Sequence, residues 1–213
     1  MGTHADSGEP LCHLDHLTRR LPLLGPCRGD LERAFETLRD AFLAKNKVLI
    51  CGNGGSAADA EHWAGELLKG FCKPRRLPHE DRERLPLELE ERLQGGLPII
   101  PLTGFPALST AFANDVEPEL TFAQLVWALG REGDVLIGIS TSGNARNVCF
   151  AARAARGRGM HTIALTGGVG GTLKSVCDLT IRVPARETYL VQELHLPIYH
   201  CLSLMLEDEF FPD

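Results

Sequence analysis

The feature that most constrains this 213-residue chain is an alternation of strand-length apolar runs with longer segments of helical period. Lys47-Val48-Leu49-Ile50-Cys51 is apolar after its lysine and stops at Gly52, the pattern of a strand buried on both faces. Four more runs follow: Pro98 to Thr103, Asp134 to Ile139, His161 to Leu165 and Leu179 to Val183. Between them the spacing predicts helices over Ala57 to Lys69, Leu120 to Leu129, Asn144 to Arg158 and Leu173 to Cys177. Helices over Asp30 to Lys45 and Thr188 to Glu209 bracket this core, and Pro197 is predicted to kink the last. The expectation is an α/β three-layer sandwich, a five-stranded parallel sheet flanked by helices.

This length fits one domain, placed at 30–213 behind a tail and lead-in at 1–29. Met1 to Pro10 is polar, reads as a frayed tail and is not a secretory signal. No run approaches the roughly 18 to 20 apolar residues of a membrane helix. The net charge of −6 comes without a basic stripe, so neither membrane nor nucleic acid is an expected partner. Seven scattered cysteines, none spaced as CxxC, argue against a disulfide framework or zinc finger and for a reducing cytoplasm. Cys51 is open to two readings, a reactive thiol before a glycine loop or an apolar strand end. The charged, proline-containing segment 72–96, with a short surface helix over Leu85 to Leu93, reads as a solvated insertion or as a flap over a site.

Chemistry-bearing residues gather at the expected strand ends. Gly52-Asn53-Gly54-Gly55-Ser56-Ala57 joins a strand to a helix, where glycines permit a sharp turn and a helix N-terminus favours an anion. The string also fits GxGxxA, but no second strand ends in an acidic residue about 20 positions on, so no nucleotide cofactor is expected. Ser140-Thr141-Ser142-Gly143-Asn144 places three hydroxyls at a second strand-to-helix turn. Helix capping needs one such residue, and the surplus favours a cradle for a phosphate monoester. His62 and Glu66 lie one turn apart on one helix face, as a site pair or a surface pair. On the last helix, Gln192 and His200 are accompanied by Glu193, His195 and Tyr199, and periodicity does not choose among them.

Taken together, Gly52 to Glu66, Asn114-Asp115, Gly133 to Asn144, Ile163 to Gly167, Gln192-Glu193 and His200 resemble the sugar isomerase (SIS) family. Within it the resemblance is to the sedoheptulose-7-phosphate (phosphoheptose) isomerases. The blocks come in family order over about residues 30 to 208. The resemblance implies an aldose–ketose isomerase of a phosphosugar, assembled as a homotetramer with interfacial active sites. It implies that Ser140, Thr141 and Ser142 hold the phosphate, with Gly54, Asn144 and Gln192 also at the substrate. Asn53, Ser56 and Asp115 would contact the sugar. Glu66 would move a proton between C1 and C2, with His200 of a neighbouring chain as partner acid/base. Some members bind zinc, and the matching positions are His62, Glu66, Gln192 and His200.

Four features depart from the family pattern. Ala145 replaces a further phosphate-binding serine, and Lys69-Gly70 stands near an expected Gly-Arg. The connection 72–96 is long, and Tyr189 and Leu190 precede Gln192. A second reading is a non-catalytic SIS protein, a phosphosugar-binding regulator or a replication-initiator adaptor. Adaptor relatives generally lack the glutamate found here as Glu66. A third is lyase or etherase chemistry on amino-sugar phosphates.

Overall fold

A computed structural model describes residues 10–212; the polar tail expected at residues 1–10 lies almost wholly outside them. Five strands form one parallel sheet: β1 (Val48–Gly52), β2 (Ile99–Pro101), β3 (Val135–Ile139), β4 (His161–Gly167) and β5 (Leu179–Val183). Their order is β2-β1-β3-β4-β5, with Val48 paired to Ile99 and to Val135 on its two sides. Side chains alternate between two cores because successive strand residues point to opposite faces. Val48, Ile50, Val135, Ile137, Ile139, Ile163 and Leu165 enter the first. Leu49, Cys51, Leu136 and Ala164 enter the second.

The first face is covered by α1 (Cys12–Arg20), a 3-10 turn at Pro22–Cys27, α2 (Arg28–Leu43) and α3 (Gly55–Leu68). The lead-in before residue 30 is thus helical and packed, with Leu14 and Leu24 fully buried. Two short helices, α4 (His79–Arg82) and α5 (Leu87–Glu90), lie in the charged segment and bury no residue. The second face is covered by α6 (Pro106–Asp115), α7 (Thr121–Leu129), α8 (Arg146–Gly157) and α9 (Leu173–Val176). The final helix, α10 (Thr188–Phe210), returns to the first face. It runs on through Pro197, whose missing N–H does not end it.

This order contains a reversal. α3 leaves β1 toward the first face, while α8 leaves β3 toward the second. Since β1 and β3 are neighbours, their outgoing loops diverge and leave a crevice at the carboxyl ends of the strands. Open α/β sheets bind ligands at such a switch point.

The root of the 72–96 segment is anchored rather than solvated. Arg75 and Glu207, 1% exposed each, form an ion pair at 2.7 Å. Glu207 also accepts the backbone N–H groups of Phe71, Cys72 and Lys73. Arg75 donates to the carbonyls of Leu67 and Glu66 at the end of α3. One buried pair therefore fastens α3, the segment 71–75 and α10 together. Beyond it, residues 79–93 are largely exposed.

Candidate active site

The crevice is a cleft of about 340 Å³ lined by Asn53 to Ser56, Ile139 to Ser142, Ala145, Thr188 and Gln192. Three helices begin at it, α3, α8 and α10, and none has a side-chain cap at its N-cap residue Gly54, Ala145 or Glu187. The partial positive charge of three helix starts makes the cleft attractive to an anion. The hydroxyls of Ser140, Thr141 and Ser142 supply donors.

Two glycines make this geometry possible. Gly143 turns the hydroxyl loop at φ +68°, and a Cβ there would strike the Gly170 carbonyl. Gly55 leaves room for the Gln192 amide, which occupies the space a Cβ would fill. Asn53 and Asn147 exchange two amide hydrogen bonds, both 2.9 Å, which tie the glycine loop to the start of α8.

Two expected contacts fall elsewhere. Asn144 accepts from the N–H and the hydroxyl of Thr172, both at 2.9 Å, and so shapes the loop rather than lining the cleft. Asp115 sits at the exposed end of α6, outside the cleft lining, and accepts from Asn114. No residue of 72–96 lines the cleft either.

Farther along α3 and α10 lies an acid–base cluster. The ligand atoms of His62, Glu66 and His200 all fall within 4.8 Å of one another. His62 Nε2 stands 3.1 Å from Glu66 Oε1, and the His62 and His200 rings meet edge to face at 5.2 Å. All three belong to the same chain. The expected neighbouring chain is not needed to bring His200 to Glu66, because α10 packs directly on α3. Burial, and next the adjacent His62, hold His200 below the ordinary imidazole range, with Glu66 opposing. Its Nε2 is buried without a partner.

Sequence reasoning passed over Thr188 and Asn147, and named Tyr199 without choosing it, yet all three complete this region. Thr188 lines the cleft, and Asn147 holds Asn53. Tyr199, 1% exposed, bonds His62 Nδ1 at 2.9 Å and Asp59 at 3.3 Å. Burial and the Asp59 carboxylate push its phenol well above the usual range, so it keeps its proton. His195, by contrast, points into the core, fully buried. Cys51 does so too: burial pushes its thiol far up, which answers the reactive-thiol reading in favour of a strand end.

Comparison with known proteins decides the family. The phosphoheptose isomerase of Halorhodospira halophila is 40% identical over 211 residues, covering 97% of each chain. The chain belongs to the phosphoheptose isomerase family. The SIS domain family model matches residues 107–206. The enzyme of the same description from Rhodospirillum rubrum is 40% identical over 185 residues, 87% of this chain and 88% of its own. Among solved structures, the phosphoheptose isomerase of Neisseria gonorrhoeae superposes with a TM-score of 0.70 at 34% identity, over 89% of this chain and 93% of that one. The family assignment agrees with the sheet, the switch-point cleft and the order of the motifs.

Proposed function

We propose that this chain is an aldose–ketose isomerase that converts sedoheptulose 7-phosphate to an aldoheptose 7-phosphate through an enediolate. The observation that carries this reading is the convergence of Glu66, His62 and His200 along the two helices that open the anion cleft. Gln192 lies in the cleft and His200 in the cluster, both on α10. Eight residues separate them by about 12 Å along the axis. That spacing suits a substrate with an anion at one end and its reacting carbons at the other.

The phosphate is held by Ser140, Thr141 and Ser142 together with the three helix starts, and Asn53, Ser56 and Gln192 flank the sugar. Glu66 removes a proton from C1 of the ketose while His200 gives one to O2, which forms the enediol. Glu66 then returns its proton at C2, and His200 takes the O1 proton as the aldehyde forms. Proton count and electrons balance, and no redox partner is involved. A neutral His200, favoured by its lowered pKa, gives its proton to O2 and regains one from O1, so it is imidazolate only between the two transfers.

His62, Glu66 and His200 are also the residues that would hold a zinc ion; Gln192, expected as a fourth ligand, has its amide against Gly55 in the cleft, apart from these three. Two imidazoles and a carboxylate suit it, and the unpartnered His200 Nε2 fits a ligand role. When bound, zinc would polarise the substrate carbonyl. A zinc-bound carboxylate is a weaker base, so the acid–base role of Glu66 ranks first. We extend the proposal to a cytoplasmic homotetramer with sites near its interfaces. A depression in which Leu23, Pro184, Ala185, Leu190 and Leu194 are joined by Glu187 and Glu193, beside the cleft's helix, supports a subunit contact there. No helix among the described residues is long and apolar enough to cross a membrane.

The regulator and adaptor readings are not favoured, because holding a phosphate requires neither Glu66 nor His200. The test is NMR of the protein with sedoheptulose 7-phosphate in deuterated water, with and without zinc. Deuterium at C2 of an aldoheptose phosphate supports the enediol route. Binding by thermal shift without turnover would sink it.

A further inference from the structure

Asp59, His62, Trp63 and Glu66 share one face of α3, spaced three and four residues apart. Tyr199 enters that face from α10. Its ring stacks on Trp63 at 5.7 Å and 20°. It also meets His62 and His200 edge to face, at 5.4 and 5.1 Å. Packing on three sides fixes where its hydroxyl points.

That hydroxyl has one proton and can also accept. Burial pushes the Asp59 carboxyl up, with the Tyr199 hydrogen bond and His62 opposing; once ionised it only accepts, and its Oδ2 is buried without a partner. The phenol is the donor found for Oδ1, at 3.3 Å. With its proton on that bond, the phenol oxygen accepts from His62 Nδ1 at 2.9 Å. His62 Nδ1 therefore carries a proton, and Nε2 is left facing Glu66 Oε1 at 3.1 Å. Two bare acceptors at that distance repel, so the position calls for a cation between them.

We propose that Asp59 and Tyr199 form an orienting relay that holds His62 as the Nδ1–H tautomer. The relay reserves Nε2 for whatever His62 shares with Glu66 and His200. Tyr199 is thus a positioning residue, acting through His62. The inference rests on the reading of this cluster as the reaction centre, and it extends that reading by two residues. Ligand imidazoles commonly have their second nitrogen fixed by a carboxylate or another polar partner; here a phenol stands between.

The experiment is long-range ¹H–¹⁵N NMR of the metal-free, full-length protein at about pH 9, where ordinary imidazoles are neutral. His62 is expected as Nδ1–H in the wild type. In Tyr199→Phe the remaining acceptor, Glu66, draws the proton to Nε2. Zinc affinity, measured by chelator competition, then falls about 10- to 100-fold. Asp59→Asn keeps the phenol but removes the charge that orients it, and is expected to shift the tautomer the same way. This second variant serves if Tyr199→Phe does not fold. A wild-type His62 found as Nε2–H overturns the proposal, as does an unchanged tautomer in either folded variant. None of these readouts requires turnover. A wild type that fails to isomerise sedoheptulose 7-phosphate would refute the function and leave the relay standing.

Discussion

Replacing Glu207 with alanine probes the joint that fastens α3, the segment 71–75 and α10. The glutamate is 1% exposed and accepts from the Arg75 guanidinium at 2.7 Å. It also accepts three backbone N–H groups at 2.8, 2.8 and 3.2 Å. Truncation leaves Arg75 as a buried cation without its counter-charge, because the guanidinium cannot shed its proton. Breaking a buried pair from one side costs about 3–5 kcal/mol. For a chain of this size that corresponds to a Tm lower by about 6–20 °C. The melt is followed by circular dichroism at fixed protein concentration, since any assembly makes Tm depend on it. Arg75→Met combined with Glu207→Leu removes both charges and is expected to recover most of the loss. A Glu207→Ala protein melting within about 3 °C of wild type, under about 1 kcal/mol, would refute the joint. So would a double variant no more stable than the single one.

Two further outcomes are expected. Glu66→Gln should lower kcat about 100- to 10,000-fold while phosphosugar binding, read by thermal shift, persists; activity within about tenfold of wild type removes Glu66 as the base. His195 is fully buried and desolvation pushes its pKa down to about 4, the Thr166 backbone opposing only in part. The unfolded chain therefore binds a proton that the folded chain refuses. Stability is full above the ordinary imidazole pKa of about 6.5 and declines as pH falls toward 4, by on the order of 3 kcal/mol. His195→Leu should flatten urea-melt stability across that window, and an unchanged slope would show that His195 is not the cause.

The sheet was legible because β1, β3 and β4 are buried on both faces, which leaves a continuous apolar signature. The helix α6 was missed for the opposite reason: Pro106–Asp115 buries no residue and so writes no periodicity. The lead-in helix α1 shows only Leu14 and Leu17 as buried residues, a short signal beside a polar terminus. The cleft could be read from its loops, since glycines and hydroxyls at strand ends carry a local mechanism. Pairings across the chain could not be. Asn53 meets Asn147, Arg75 meets Glu207 and His62 meets Tyr199 only after the helices dock. Asn144 shows the converse: its residue type suited the ligand, but Thr172 lay close enough to claim it.

The switch point divides ownership of the cleft between the two sides of the sheet. The glycine loop is held in place by the first core and the hydroxyl loop by the second, with the Asn53–Asn147 bonds as the clasp between them. A chain in which one side has condensed and the other has not possesses half a binding site. Ligand affinity is in this sense a proofreading signal: it arises only in molecules that have finished folding on both sides, and substrate stabilises those alone.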